Sequence, residues 1–252
     1  MVPESHPSYP HPTIQEAICE IIFDLPQDKP WNPLLFGEYF KSVQGDYASF
    51  VPVNVPGLQL QFGFGVQDTP PPPPSQIVRY RHAKHPAMIQ QSERSIAVTR
   101  MPEYPGWETM LEDIEYAFEH LISVVCPERV VRIGLRYINR IERSHPEENL
   151  SAWFSPSDYI PEYLLQSKSG FFSMTQTKMD DNNRLNIIIG EHSGPHPSAP
   201  AFIFDIDRIL EKELPPEMDK LVVEINQLHD DVWNVFNMVK NDKLVGLLNG
   251  EI

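Results

Sequence analysis

The hydrophobic pattern of the chain becomes regular at Thr13 and predicts a strand followed by a short helix. In the segment 13–25, TIQEAICEIIFDL, apolar residues occur at both sets of alternate positions. A period of two predicts a strand, and two mostly apolar faces are typical of a central strand that is covered on both sides. The next segment, 34–47, has apolar residues three and four apart and predicts a short helix that buries Leu35, Phe36, Tyr39, Phe40 and Val43.

Four short segments rich in β-branched and aromatic residues come next, at 58–66, 76–83, 87–93 and 95–101. Turn residues separate them, so they predict antiparallel hairpins. The five prolines Pro70–Pro74 lie between the first two segments. Because proline lacks a backbone N–H and favours the polyproline II conformation, they predict a stiff, exposed connector, with docking on an aromatic groove of a partner as the alternative.

The clearest helix of the sequence is predicted between Tyr104 and Val125. Its apolar residues recur at helical spacing and form one stripe, composed of Trp107, Leu111, Ile114, Phe118, Leu121, Ile122 and Val125. A second stripe carries only carboxylates, at Glu108, Glu112, Glu115 and Glu119, and the helix contains no Lys or Arg. This acidic stripe is interpreted either as a solvated face or as a docking surface for basic side chains.

The same order of elements then repeats. The pattern predicts a strand at 127–142, a short helix at 155–166, a hairpin that turns near 180–183, a strand at 200–209 and a long helix at 215–239. The predicted buried stripe of the last helix is Leu221, Ile225, Leu228, Val232, Phe236 (or Val235) and Val239.

This repetition predicts an α+β fold built from two pseudo-repeated β-α-β(2-4)-α halves. We expect a mainly antiparallel sheet with the two long helices packed on one face. The expected division is an extended lead-in at 1–12, a first half-module at 13–127 and a second at 128–252, joined in one compact unit. The leading strands of the two halves are expected to be neighbours, near Ile18 and Leu135.

If those strands are neighbours, two charged rows can meet. Arg132, Arg136 and Arg140 share one side of the second leading strand, and Glu16 and Glu20 share the corresponding side of the first. The residues predict a set of Glu–Arg pairs that fixes register. The alternative is a cleft for an anionic ligand between the halves, lined by Arg132, Arg136, Tyr137, Arg140 and Trp153.

The composition and charge of the chain argue against some classes of partner and indicate a cellular compartment. The chain has 252 residues and a formal net charge of −15 at pH 7, which argues against direct binding to nucleic acid and is compatible with a basic protein partner. No apolar run is long enough to span a bilayer, and the N-terminal segment lacks the features of a signal peptide, so a cytoplasmic protein is expected. Cys19 and Cys126 are predicted to be buried free thiols.

Familiar catalytic motifs are absent from the sequence, so we predict no catalytic residue and no cofactor. A weak metal-binding alternative is the cluster Glu191, His192 and His196, which is otherwise interpreted as an exposed turn. Asp205 and Asp207 share a strand face, either as paired carboxylates, as neighbours of the last helix, or as partners of Arg208. His229 is interpreted as a histidine on a helix surface, with a proton carrier as the alternative.

Two motifs resemble those of a sporadically distributed prokaryotic protein family of unknown function. The first is P-x-I-x-E-A-x-x-E-I, at residues 12–21, and the second is G-L-R-Y-x-N-R, at 134–140; a late L-H…F segment runs from Leu228 to Phe236. The resemblance covers essentially the whole chain and implies no reaction, cofactor or catalytic residue. A patchy distribution is common among accessory genes such as defence and toxin–antitoxin modules.

Three functions are therefore open. The first is a non-enzymatic interaction module whose acidic stripe binds a basic protein partner, as an accessory component of a prokaryotic defence or toxin–antitoxin system. The second is a small-ligand sensor with a cleft between the halves, and the third is a metal-dependent hydrolase. No membrane association is expected, and a homo-oligomer is compatible with each function.

Overall fold

The structure is a computed structural model that describes residues 6–54, 76–145, 147–192 and 200–252. The predicted strand at 58–66 and the proline connector Pro70–Pro74 lie outside the described residues, as does His196.

Nine strands and five helices make up the described chain, together with a 3₁₀ turn at Leu150–Ala152. In chain order they are β1 (Ile14–Asp24), α1 (Leu34–Val43), β2 (Tyr47–Asn54), β3 (Gln76–His82), β4 (Ala87–Gln91), β5 (Ser95–Arg100), α2 (Trp107–Val125), β6 (Arg129–Glu142), α3 (Glu162–Leu165), β7 (Phe172–Lys178), β8 (Asn183–His192), β9 (Ala201–Leu210), α4 (Met218–Val239) and α5 (Asp242–Asn249).

All nine strands form one antiparallel sheet in the order β2-β3-β4-β5-β1-β6-β9-β8-β7. The two predicted leading strands, β1 and β6, are neighbours near the middle of the sheet, with Ile18 opposite Arg136 and Cys19 opposite Leu135. The sequence prediction that these strands pair is therefore confirmed.

The helices pack on one face of this sheet. The row Val98, Cys19, Leu135 and Arg208 crosses four strands on that face, and alternate residues of each strand share it. Charged residues of this face reach both long helices, because Arg100 pairs with Asp113 of α2 and Arg208 pairs with Asp231 of α4. The α+β class and the helix-covered antiparallel sheet agree with the sequence prediction.

The core lies between the sheet and the helices, and the long helices contribute the faces that periodicity predicts. Every residue of the predicted stripe of α4 is buried, including both Val235 and Phe236. In α2 the buried face is shifted slightly from the predicted stripe, because Met110 and Ala117 are fully buried whereas Leu111 and Ile122 are only partly buried. Apolar burial of this kind contributes about 25 cal/mol per Å² and stabilises the sheet–helix interface.

Several elements differ from the prediction. β2 and α5 were not predicted, and the helix expected at 155–166 is a single turn, α3. Strand β1 is buried on the helix side, whereas its other side is only half-buried, so it is not covered equally on both faces. Cys19 is a buried free thiol as predicted, but Cys126 is exposed. It follows the last residue of α2 in the left-handed conformation, with φ 53°, beyond the end of the buried stripe.

Candidate functional site: an aromatic cavity beside the central strands

A cavity of about 370 Å³ lies where the N-terminal segment, the start of α2, strand β6 and helix α4 meet. This volume falls within the range of small-molecule sites. We call it the aromatic cavity, because rings from all four elements contribute to its lining: His6, Tyr9, Tyr104, Trp107, Tyr137, His229, Trp233 and Phe236.

A stack of two rings joins the long helices at the cavity. The imidazole of His229 in α4 lies parallel to the indole of Trp107 in α2, with centroids 3.9 Å apart and planes 4° from parallel. The indole N–H of Trp107 donates to Oδ1 of Asn226, one turn before His229, at 2.9 Å. Stack and hydrogen bond together hold the Trp107 ring in one orientation.

The N-terminal segment forms another wall of the cavity. The ring of His6 stacks on Trp233 with centroids 4.9 Å apart, and the ring of Tyr9 stacks on the same indole at 5.9 Å. Nε2 of His6 lies 2.8 Å from Oδ1 of Asp230. The backbone N–H of His11 donates to the carbonyl of Leu248 at 3.0 Å, which ties the segment to α5. The predicted lead-in at 1–12 thus contributes side chains to a site.

Burial shifts the pKa of three rings of the cavity, those of His229, Tyr104 and Tyr137. Burial lowers the pKa of His229 to about 3, so its imidazole is neutral near pH 7. Burial also raises the pKa of Tyr104 and of Tyr137 well above the ordinary value, and their hydroxyls lie 2.9 Å apart. The described lining contains the carboxylates of Glu108 and Asp230 but no Lys or Arg.

Four polar side chains of the cavity, those of Thr13, Asn139, Tyr104 and Tyr137, already have protein partners. The hydroxyl of Thr13 donates to Oδ1 of Asn139 at 3.0 Å, and the Asn139 amide donates to the carbonyl of Phe204 at 3.2 Å. The two tyrosine hydroxyls bond each other. A ligand would therefore be held chiefly by ring stacking and apolar contact, with few new hydrogen bonds.

The structure does not bring the five residues of the predicted ligand cleft together. Neighbouring residues of a strand point to opposite faces of a sheet, so Tyr137 lines the aromatic cavity while Arg132, Arg136 and Arg140 lie on the face without helices. Trp153 is fully buried away from the aromatic cavity, with the ammonium of Lys243 4.1 Å from its ring centroid.

The predicted Glu–Arg pairing is confirmed for one pair of residues. Arg132 pairs with Glu20 across β1 and β6 at 2.8 Å. Arg136 instead grips the buried carboxylate of Asp205 on β9 with two bonds of 2.9 and 2.5 Å, and this raises the pKa of the guanidinium. Arg140 pairs with Glu142 of its own strand. The register of β9 places Asp207 directly opposite Arg136 and Asp205 opposite Ile138, so Arg136 bonds the diagonal aspartate rather than the one it faces.

Asp205 and Asp207 also have partners other than the predicted ones. Asp207 shares its sheet face with Asp205 and accepts a hydrogen bond from the side-chain amide of Asn186 at 3.0 Å. Neither aspartate pairs with Arg208, which lies on the helix face and binds Asp231 of α4 at 2.5 Å. Strand alternation again explains the difference, because residues 207 and 208 point in opposite directions.

The weak metal cluster is only partly described, since His196 and the side chain of His192 lie outside the described residues. Its third member, Glu191, has other partners. The carboxylate accepts from the backbone N–H of Gly170 at 2.9 Å and from the guanidinium of Arg143 at 2.8 Å, and these contacts lower its pKa. The Glu191 carboxylate therefore links β8 to Gly170, before β7, and to Arg143, after β6.

The acidic stripe of α2 is on the surface. Glu108, Glu112 and Glu119 are exposed and Glu115 is half-buried. Within the described parts of the chain, none of the four carboxylates lies within ion-pair distance of a Lys, Arg or His nitrogen. The stripe is therefore available to solvent or to a partner.

Sequence reasoning missed most of the aromatic cavity. Tyr137 and Trp107 were singled out for other reasons, and His229 was interpreted as a surface residue, which is wrong because it packs face to face on Trp107. His6, Tyr9 and Trp233 were not predicted at all. The available signal was the four-residue spacing of His229 and Trp233, which places both rings on one side of α4 beside its buried stripe.

No protein-family model matches the chain, and no curated protein matches it in sequence. Among the described residues, no helix combines the length and the apolar character that crossing a bilayer requires.

Proposed function

We propose that the protein binds a small organic ligand in the aromatic cavity and acts as a ligand sensor. The observation that carries this proposal is the cavity itself: about 370 Å³ of space, walled by aromatic rings from four separate elements. The cavity is partly open to solvent, so an apolar ligand that enters it would remove the surrounding aromatic surface from water.

The lining favours a flat, largely apolar ligand. Eight aromatic rings line it, and the described lining holds two carboxylates but no Lys or Arg. The ammonium of Lys240 lies outside the lining, 5.8 Å from the centroid of the Trp233 ring. The hydroxyls of Tyr104 and Tyr137 already bond each other, which leaves shape and stacking as the main source of selectivity.

The position of the cavity suits a sensor. It contacts both long helices, the central strand β6 and the N-terminal segment, so a ligand there would touch elements from both ends of the chain. If these elements have two arrangements, a ligand shifts their populations only by the difference between its affinities for the two.

We also propose that the two halves, 13–127 and 128–252, are related modules. Three features support this: β1 and β6 open the halves and pair at the centre, β5 and β9 flank them, and each half ends with a long helix, apart from the short α5. On this view the aromatic cavity lies at the junction of the modules, where duplicated folds commonly bind ligands.

A thermal-shift screen of small aromatic compounds tests the sensor proposal. A ligand present at a hundred times its Kd should stabilise the protein by about 2.7 kcal/mol, which corresponds to a rise in Tm of about 5–10 °C for a chain of this size. Trp233→Leu removes one ring of the wall and should abolish most of the shift. Trp31→Leu is the matched control, because Trp31 packs against Phe36 away from the cavity.

Co-crystals of the best compounds complete the test. Ligand density inside the aromatic cavity is the expected result. The sensor proposal is wrong if no compound stabilises the protein, or if the stabilising compounds lose no affinity in Trp233→Leu and bind elsewhere.

A second candidate function is docking of a basic protein partner on the acidic stripe, as an accessory component of a defence or toxin–antitoxin system. The exposure of Glu108, Glu112 and Glu119, without ion-pair partners among the described residues, favours it. The triple variant of Glu112, Glu115 and Glu119 to Gln leaves the cavity residue Glu108 intact. It should weaken salt-sensitive pull-down of the native partner, and undiminished capture would contradict this function.

A further inference from the structure

Three potential metal ligands meet on the wall of the aromatic cavity. They are the side chains of His6, His229 and Asp230, and one ligand atom from each lies within 4.8 Å of the other two. His229 and Asp230 are consecutive residues of α4, whereas His6 comes from the N-terminal segment. In the described part of the chain this is the one group of three such side chains at this spacing.

The packing holds both imidazoles by their faces. His229 stacks on Trp107 and His6 stacks on Trp233, and the two imidazole centroids lie 5.4 Å apart at an angle of 53°. Ring nitrogens lie in the plane of the ring, so face packing leaves their lone pairs directed outward from the stacks.

The nitrogens of His229 also lack a protein partner. Among the described residues neither ring nitrogen of His229 makes a hydrogen bond, although the side chain is partly buried. Metal-binding histidines need a neutral ring with a free nitrogen lone pair, and a partly buried, unbonded imidazole offers one.

We propose that His6, His229 and Asp230 form a binding site for a divalent transition-metal ion, with Zn²⁺ the best match. Two imidazoles and a carboxylate are ligands that Zn²⁺ accepts, and bonds of about 2.0–2.1 Å place tetrahedral ligands about 3.3 Å apart. The three atoms lie within 4.8 Å of one another, so their separations would have to shorten by at most about 1.5 Å to reach that spacing.

Such a site leaves the fourth position of the ion open toward the cavity that all three residues line. The ion would also tie the N-terminal segment to α4 more firmly than the present contact between His6 and Asp230 does. This inference is independent of the proposed sensor function, because the ion binds protein side chains whether or not the cavity holds an organic ligand.

The test uses the full chain without any affinity tag, stripped with a chelator. Titration with Zn²⁺ in a calorimeter at pH 7.5 should show one site with a Kd of about 1 µM or lower. Co²⁺ added in place of Zn²⁺ should give the visible absorption of a tetrahedral ion. Asp230→Asn and His6→Gln each remove one ligand with little change in size and should weaken binding about tenfold or more.

His85→Gln is the matched control, since His82 and His85 form another close pair of imidazoles, 4.8 Å apart, outside the cavity. It should bind Zn²⁺ like the native chain. Absence of saturable binding, or equal binding by the native chain, Asp230→Asn and His6→Gln, would overturn the metal site. A chelator added to the thermal-shift screen of aromatic compounds removes any bound ion, so the outcome of that screen does not depend on the metal site.

Discussion

The ion pair between Arg136 and Asp205 tests how burial changes the contribution of a charged pair to the free energy of unfolding. The pair lies on the face of the sheet without helices. The carboxylate of Asp205 is only 5% exposed and receives two guanidinium bonds, whereas the Arg136 side chain is 41% exposed. Replacing Arg136 by Met leaves a buried carboxylate without its partner. Breaking a buried pair in this way costs about 3–5 kcal/mol, and access of water to the Arg136 position reduces that to about 2–4 kcal/mol.

Arg132 provides a matched comparison on the same face of β6. Its pair with Glu20 is more open, with the two side chains 29% and 36% exposed. Arg132→Met should therefore cost only about 0–1 kcal/mol. Measured by urea unfolding, Arg136→Met should be the less stable variant by about 1–4 kcal/mol, with a Tm about 2–16 °C lower.

The double variant Arg136→Met with Asp205→Asn adds a second check. Removing the charge from residue 205 should recover part of the loss, because the unpaired buried carboxylate causes most of it. Equal stability of Arg136→Met and Arg132→Met, or no recovery in the double variant, would refute the reasoning that burial of Asp205 sets the energy.

Three further predictions follow from individual residues. Cys126 should react with a thiol reagent in the native protein while Cys19, buried and with its pKa raised to about 12, reacts only after unfolding; mass spectrometry of the labelled chain checks this. Burial raises the folded-state pKa of Asp207 above its unfolded value, so the ionised carboxylate opposes folding at pH values above the folded pKa. Asp207→Asn should therefore stabilise the protein at pH 7, and the gain should shrink as the pH falls through the folded pKa. Urea unfolding at several pH values measures this. Asn241 accepts the N–H of Leu244 at the start of α5, so Asn241→Ala should lower the free energy of unfolding by about 1 kcal/mol, and an unchanged urea midpoint would contradict the capping role.

The elements that sequence reasoning predicted well are those whose pattern is long and regular. The stripe of α4 repeats over 22 residues, so the period identifies both the helix and its buried side. The period of two identified β1 as a strand but not which of its two apolar sides the helices cover. β2 and α5 were missed for the opposite reason. β2 contains Pro52 within eight residues, and α5 is an eight-residue helix that the side chain of Asn241 caps. Short elements depend on tertiary contacts, so local pattern says little about them.

Only a small part of the candidate site could be predicted. Tyr137 was placed in a cleft and does line the aromatic cavity, but its predicted neighbours Arg136 and Arg140 lie across the sheet. Strand parity alone could have separated them. His6 and Trp233 gave no local signal, because a histidine in a proline-rich segment and a tryptophan beside a helix stripe are each ordinary in isolation.

The sequence alone determined the long elements, the buried stripe of α4 and a strongly negative net charge, because these follow from local periodicity and composition. The pairing of β1 with β6 was inferred from the repeated order of elements along the chain. Only the tertiary structure decided that His6, Trp107 and His229 share one cavity and that Arg136 binds Asp205 rather than a glutamate. These contacts join residues that are distant in the sequence, and they depend on strand register and helix docking. Many contacts fix register and docking together, so no single segment of the chain predicts them.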